Sequence, residues 1–130
     1  KEDMNHDDYL ALKRGKLTVI RGMQSMITEV GAGVYSYMVM LANLERKQEA
    51  GFFGDIRERV FSIRSKIGED TTQEGLDQLS NEMMGIYRDL NTAHIYLQAH
   101  KPEEACILHS VTNTACGLVY NIKNFSKEVV

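Results

Sequence analysis

Proline occurs once in 130 residues, at Pro102, and tryptophan not at all. Without tryptophan the interior must be filled by Leu, Ile, Val and the seven methionines, whose flexible side chains adapt to irregular gaps. Long apolar runs are also missing. The greasiest stretch, Gly31 to Ala42, carries Tyr35 and Tyr37 and falls short of the roughly eighteen apolar residues a membrane span needs, so no membrane segment is expected. No signal or transit segment is visible. Cysteine is limited to Cys106 and Cys116. They stand about 15 Å apart along what reads as one helix, beyond disulfide reach. Two thiols with no feasible partner in the same chain point to a reducing, cytoplasmic compartment. There is no glycine-rich phosphate loop, no nucleophile elbow and no strand to carry a dinucleotide fingerprint. The six tyrosines are scattered and build no stacking platform for single-stranded nucleic acid.

What is present is a regular return of apolar residues every three or four positions. Ile20, Met23, Ile27, Val30, Val34, Tyr37, Leu41 and Leu44 form one run, and Phe53, Ile56, Val60, Ile63 and Ile67 a second. Leu76, Leu79, Met83, Ile86, Leu90, Ala93 and Leu97 form a third, and Leu108, Val111, Ala115, Leu118, Ile122 and Phe125 a fourth. That step keeps side chains on one stripe of an α-helix, whereas a strand would alternate by two. Residues 1–130 therefore read as a single all-α domain, an antiparallel four-helix up-and-down bundle with a long first helix.

Helix ends follow from local chemistry. Helix 1 is expected to start near Asn5 to Asp8 and to run to about Ala50, with Gly51 as a natural stop. Gly31 and Gly33 mark either a kink or close helix crossing within it, or a bend that makes a fifth segment. Helix 2 covers about Phe53 to Ile67, and Thr71 with Glu74 fits a capping box opening helix 3, which extends to about Ala99. Pro102 suits the first turn of helix 4, with Glu103 and Glu104 on its positive end.

These lengths do not match. A first helix of about 60 Å beside partners of about 40 Å and 20 Å either folds back or overhangs the bundle, exposing Leu10, Leu12, Leu17 and Val19. With Met23 and Met26, these form the expected partner-binding set, for a protein partner or a homodimer. The overhang is also basic. Lys13, Arg14, Lys16 and Arg21 face no acid between Asp8 and Glu29. Residues 1–66 hold eleven Lys/Arg against nine Asp/Glu, a net +2, and residues 67–130 hold four against nine, a net −5. Such a patch either meets an acidic partner or phosphate, or is a solvated helix face.

Two short motifs carry candidate chemistry. Arg88-Asp89-Leu90-Asn91-Thr92-Ala93-His94, followed by Tyr96, resembles the arginine-to-histidine signature of HEPN-type ribonucleases. These are helical, usually dimeric proteins in which the two residues act on the scissile phosphate without metal. The resemblance implies catalytic roles for Arg88 and His94, with Tyr96 in the trailing His-x-Tyr of one toxin branch, and RNA as substrate. In an unbroken helix, however, Arg88 and His94 stand about 120° and 9 Å apart. His109 to Ala115 resembles the phosphoacceptor helix of histidine phosphotransfer domains, but Thr112 occupies the place of the lysine that balances phosphoryl charge. Glu103, Cys106 and His109 share a face yet fall short of a four-ligand zinc site, so no metal and no cofactor is expected.

The stretch from Leu79 to Ile122 is similar in helix lengths, and around Tyr87, to flagellin-export chaperones. The preferred reading is a non-enzymatic helical interaction module, an adaptor, regulator or chaperone that receives a protein segment in methionine-rich grooves. The metal-independent ribonuclease is the alternative, and only it would bring nucleic acid in as a partner.

Overall fold

The computed structural model describes residues 5–128 as four helices: α1 (His6–Asn43), α2 (Lys47–Lys66), α3 (Gln73–His100) and α4 (Pro102–Glu128). No strand occurs among the described residues. The helices run up and down as two hairpins, α1 with α2 and α3 with α4. The hairpins are joined chiefly where α1 packs on α4, while α2 and α3 meet only lightly.

α1 is one helix of 38 residues, about 57 Å long. Asn5 caps it by accepting a 2.8 Å hydrogen bond from the Asp8 N–H, which satisfies one of the free amides of the first turn. The helix passes Gly31 and Gly33 without interruption, so no fifth segment forms. The glycines serve close crossings. A Cβ on Gly33 would collide with Val111 of α4, and one on Gly31 would lie 3.1 Å from Cζ of Phe61 on α2. Glycine's conformational cost in a helix is here offset by the close approach of two neighbours.

The first turn falls earlier than expected. α1 ends at Asn43 and α2 begins at Lys47, which leaves Gly51 inside α2. Reversal is made by Glu45, whose φ of 62° places it in the left-handed region. The Arg46 N–H then closes the turn on the Leu41 carbonyl at 2.9 Å. A side chain other than glycine has taken the αL position that ends many helices. At the other end, Thr72 rather than Thr71 caps α3, accepting from the Gly75 N–H. Thr71 instead accepts from the Gly68 N–H and donates to the Lys66 carbonyl, holding the turn closed.

One continuous core runs through the molecule, from Ile20 on α1 to Phe125 on α4. All but two of the residues of the four stripes point into it; Leu44 is exposed in the first turn, and Ala93 is half-buried against the core. Ser80 adds a buried hydrogen bond from its hydroxyl to the Val119 carbonyl, tying α3 to α4. The α2–α3 seam is held differently, by exposed ion pairs Arg59–Asp89 and Lys66–Glu82. Each is worth little in water.

Coverage of α1 begins at Ile20, with Gln24 bonded through Nε2 to the Ile67 carbonyl where α2 ends. Residues 6–19 extend past that level, a rise of about 20 Å, and none of them is buried.

Candidate functional site

At the end of the bundle where α1 turns into α2, four side chains form a closed polar network. Arg46 grips both oxygens of Glu49 and reaches Glu104 Oε2 at 2.8 Å, while the Tyr37 hydroxyl donates to Glu104 Oε1 at 2.7 Å. The Arg46 hydrogen bonds hold Glu49 and Glu104 below the usual carboxylate range. Burial, followed by the bond to Glu104, pushes the Tyr37 hydroxyl up. The network fastens the α1–α2 turn to the first turn of α4.

Beside it, α2 and α3 splay to leave a cleft of about 540 Å³, lined mainly by Phe52, Phe53, Ala93, Tyr96 and Leu97. Its volume suits a small ligand. Three of its polar groups are already engaged by neighbours, Glu49 by Arg46, Asp89 by Arg59 and Tyr37 by Glu104, while Thr92, Tyr96 and Lys101 also line it. A catalytic site needs convergent groups held ready for a substrate. This cleft offers mostly apolar wall.

The residues of the ribonuclease-like motif are not brought together within the chain. Arg88 is exposed on α3. His94 is half-buried toward α4, its ring 5.5 Å from that of His109. Tyr96 lies on the cleft side, its ring 4.3 Å from that of His100. The pairing of His94 with His109 escaped the sequence reading, although the two stand nearly symmetrically about the α3–α4 turn and an antiparallel hairpin must bring them level. His109 also meets Asn113 at 3.2 Å. Thr112 is buried, and its hydroxyl finds no hydrogen-bond partner among the described residues. Cys106 is exposed and Cys116 half-buried, both as free thiols. No three His, Cys, Asp or Glu side chains among the described residues come together as metal ligands. No helix among them is long and apolar enough to cross a membrane.

The uncovered half of α1 is the other prominent feature. Continuing the core stripe backwards in steps of three and four from Met23 leads through Val19, Lys16 and Leu12 to Tyr9. Tyr9, Leu12 and Val19 are 53%, 55% and 43% exposed. Leu10 and Leu17 are half-buried on the flank, as is Lys16 within the stripe, while Lys13, Arg14 and Arg21 are exposed. Met23, assigned from sequence to the partner-binding set, is a core residue at 3% exposure, because bundle coverage has already begun at Ile20. Met26 is half-buried against the core. The other methionines of the expected grooves also fill seams: Met83 is buried, and Met38, Met40 and Met84 pack against the core.

Two shallow depressions flank this half of the helix. One, of about 270 Å³, is lined by Tyr9, Leu12, Lys13 and Lys16 together with Glu69 and Asp70 of the α2–α3 turn. The other, of about 490 Å³, lies between α1 and the end of α4, with Val19, Met26, Asn121 and Phe125 among its walls. Tyr9, Glu69 and Asp70 were absent from the sequence-based set. Tyr9 was legible as the next step of the stripe, whereas the two acids arrive only through the fold. Set against protein-family models, curated proteins and solved structures, the chain finds no match.

Proposed function

We propose that the chain is a non-enzymatic helical interaction module that takes up a segment of a partner protein along the uncovered half of α1. The observation that carries this reading is the continuity of the stripe. The seam that α2 and α4 cover from Ile20 to Leu41 runs on through Val19, Leu12 and Tyr9, which stay about half exposed with no helix laid along them and only the α2–α3 turn and the end of α4 at their edges. Full burial of a large apolar side chain is worth about 1.5–3 kcal/mol. Three such side chains on a rigid helix, continued by the depression at Met26 and Phe125, can therefore supply the centre of an interface. The partner needs no preformed pocket. It has only to extend the column that α2 or α4 occupies further along, with its own apolar side chains toward α1.

The test uses the whole chain. Wild-type protein and the Leu12→Gln, Leu17→Gln double variant are compared by sedimentation velocity, alone and with synthetic amphipathic helical peptides. The expected result is capture of a peptide, or of a second copy, by wild type and its loss in the variant, with the helical circular dichroism unchanged. Equal behaviour of the two proteins in both assays would remove the uncovered half of α1 as an interface.

A further inference from the structure

Resting on that reading of α1, we infer that the segment it receives is an acidic amphipathic helix, rather than a second copy of this chain or a membrane surface. The first ground is charge. Between Asp8 and Glu29 there is no carboxylate, and Lys13, Arg14, Lys16 and Arg21 all fall in that interval. Lys16 lies within the stripe and Lys13 on its flank, whereas Arg14 and Arg21 point to the far side, so pairing this half-helix with its own copy about a twofold axis would set Lys13 and Lys16 against their own counterparts. Like charges brought opposite one another oppose association. An acidic segment turns the charges of Lys13 and Lys16 into attraction.

The second ground is where the cations lie. On a helix that rests in a lipid interface, lysines occupy the polar face, away from the apolar one. Here Lys16 sits inside the apolar stripe, between Leu12 and Val19, while Arg14 and Arg21 lie on the opposite face. Inserting the stripe into lipid would carry Lys16 with it. A protein helix can instead place a carboxylate opposite Lys16 and apolar side chains on either side.

The third ground is an intramolecular precedent. The α2–α3 turn already brings Glu69 and Asp70 to the depression formed by Tyr9, Leu12, Lys13 and Lys16. Acid beside cation, over an apolar floor, is the arrangement the molecule adopts where its own chain reaches that surface. From Tyr9 to Met26 the surface is about 26 Å long, which matches a partner helix of roughly 18 residues.

The experiment presents the full-length chain with three fluorescent 18-residue helical peptides. All share one leucine stripe, and their flanking positions are Glu, Gln or Lys. Binding is read by anisotropy at low and high salt, with cosedimentation on vesicles of anionic and zwitterionic lipid in parallel. The expected result is tightest binding of the Glu peptide, by about tenfold over the Gln peptide at low salt, an advantage that shrinks as salt screens the charges. Lys13→Gln with Lys16→Gln should erase most of that advantage while leaving the fold and the binding of the Gln peptide intact. Equal affinity for the Glu and Gln peptides, with both lost in Leu12→Gln, overturns the charge inference and leaves the interaction surface standing. Binding of no peptide, with Leu12→Gln, Leu17→Gln indistinguishable from wild type, overturns both. Preference for anionic vesicles over the Glu peptide, or a salt-resistant dimer that excludes it, also overturns the inference in favour of that occupant.

Discussion

From Ile20 to Asn43 the apolar stripe of α1 is covered by α2 and α4, and from His6 to Val19 the same stripe on the same helix lies open. The two halves share backbone geometry, helical register and a supply of large apolar side chains. They differ in neighbours. α2 ends its reach near the level of Gln24, where the Ile67 carbonyl receives that side chain. Only the α2–α3 turn extends further, with Glu69 and Asp70 beside Tyr9 and Leu12, and α4 reaches the level of Val19 through Phe125. Amphipathic spacing thus specifies which way a side chain points, while the lengths of the other helices decide whether anything meets it there.

Leucine truncation is the sharpest way to separate the halves. Leu41 is fully buried and Leu12 is 55% exposed. Leu41→Ala removes packed atoms and leaves a cavity, so it should lower unfolding free energy by about 2–5 kcal/mol. Leu12→Ala should stay within about 0.5 kcal/mol of wild type. Urea midpoints at low protein concentration measure both. A Leu12→Ala loss as large as that of Leu41→Ala would break the comparison, because it would require the open half to be buried in the folded particle.

The glycines divide in the same way. Gly33 lies under Val111, and a methyl group added there must push α4 away, so Gly33→Ala should cost about 1–3 kcal/mol. Gly31→Ala should cost less, because the facing atom belongs to the Phe61 ring, which is 36% exposed and has room to move. If Gly33→Ala proved neutral, the crossing of α1 and α4 would be looser than the close approach at Val111 implies.

Acid should act on the covered end of α1 more than on the open one. Glu49 and Glu104 have folded-state values lowered by the Arg46 hydrogen bonds. Their contribution is therefore full above the unfolded carboxylate value of about 4.3, and is lost as pH falls through the lower folded values. Arg46→Gln should cost about 1–2 kcal/mol near neutral pH, since the ion pairs are only partly shielded from water. The gap between variant and wild type should narrow on acidification toward about pH 3, as read from urea titrations at several pH values. A gap that held constant with pH would mean that Arg46 acts through packing alone.

Much of this arrangement was legible in the spacing of apolar residues, and what was not has identifiable causes. The four stripes named the core nearly residue by residue, because a helix buried on one side repeats every three or four positions. The first turn was misplaced by several residues, since Gly51 is the conspicuous stop signal, whereas Glu45 in the left-handed region carries no compositional mark. The cap of α3 slipped from Thr71 to Thr72 because two adjacent threonines offer the same chemistry, and only the turn shows which hydroxyl faces which amide. At the candidate surface, Leu12 and Val19 were readable from the overhang, but Met23 was assigned outward because the point where coverage begins depends on how far three other helices reach. Glu69 and Asp70 lie more than fifty residues from Leu12 in sequence, and no local pattern links them to it. The Arg46 network joins residues from α1, the turn, α2 and α4, so it too exists only once the hairpins are assembled.

The smallest effect probes the open half most directly. Around Gly15 and Gly22 a Cβ would find nothing within 4 Å, so within a single chain these glycines have no packing reason to be there. Replacing either by alanine narrows the unfolded ensemble and removes a poor helix former, and should raise stability by about 0.5–1 kcal/mol each. The gain should appear as a higher thermal midpoint and stronger helical dichroism at low concentration. Gly15 and Gly22 lie on one flank of the stripe, three positions after Leu12 and Val19, and Gly22 borders the depression at Met26 and Phe125. A leucine-striped acidic peptide centred on Leu12 and Lys16 should still bind both variants unchanged. A stabilised protein that lost peptide binding would place the partner over the glycine flank, and would shift the working surface of the uncovered helix away from Lys16 toward that side.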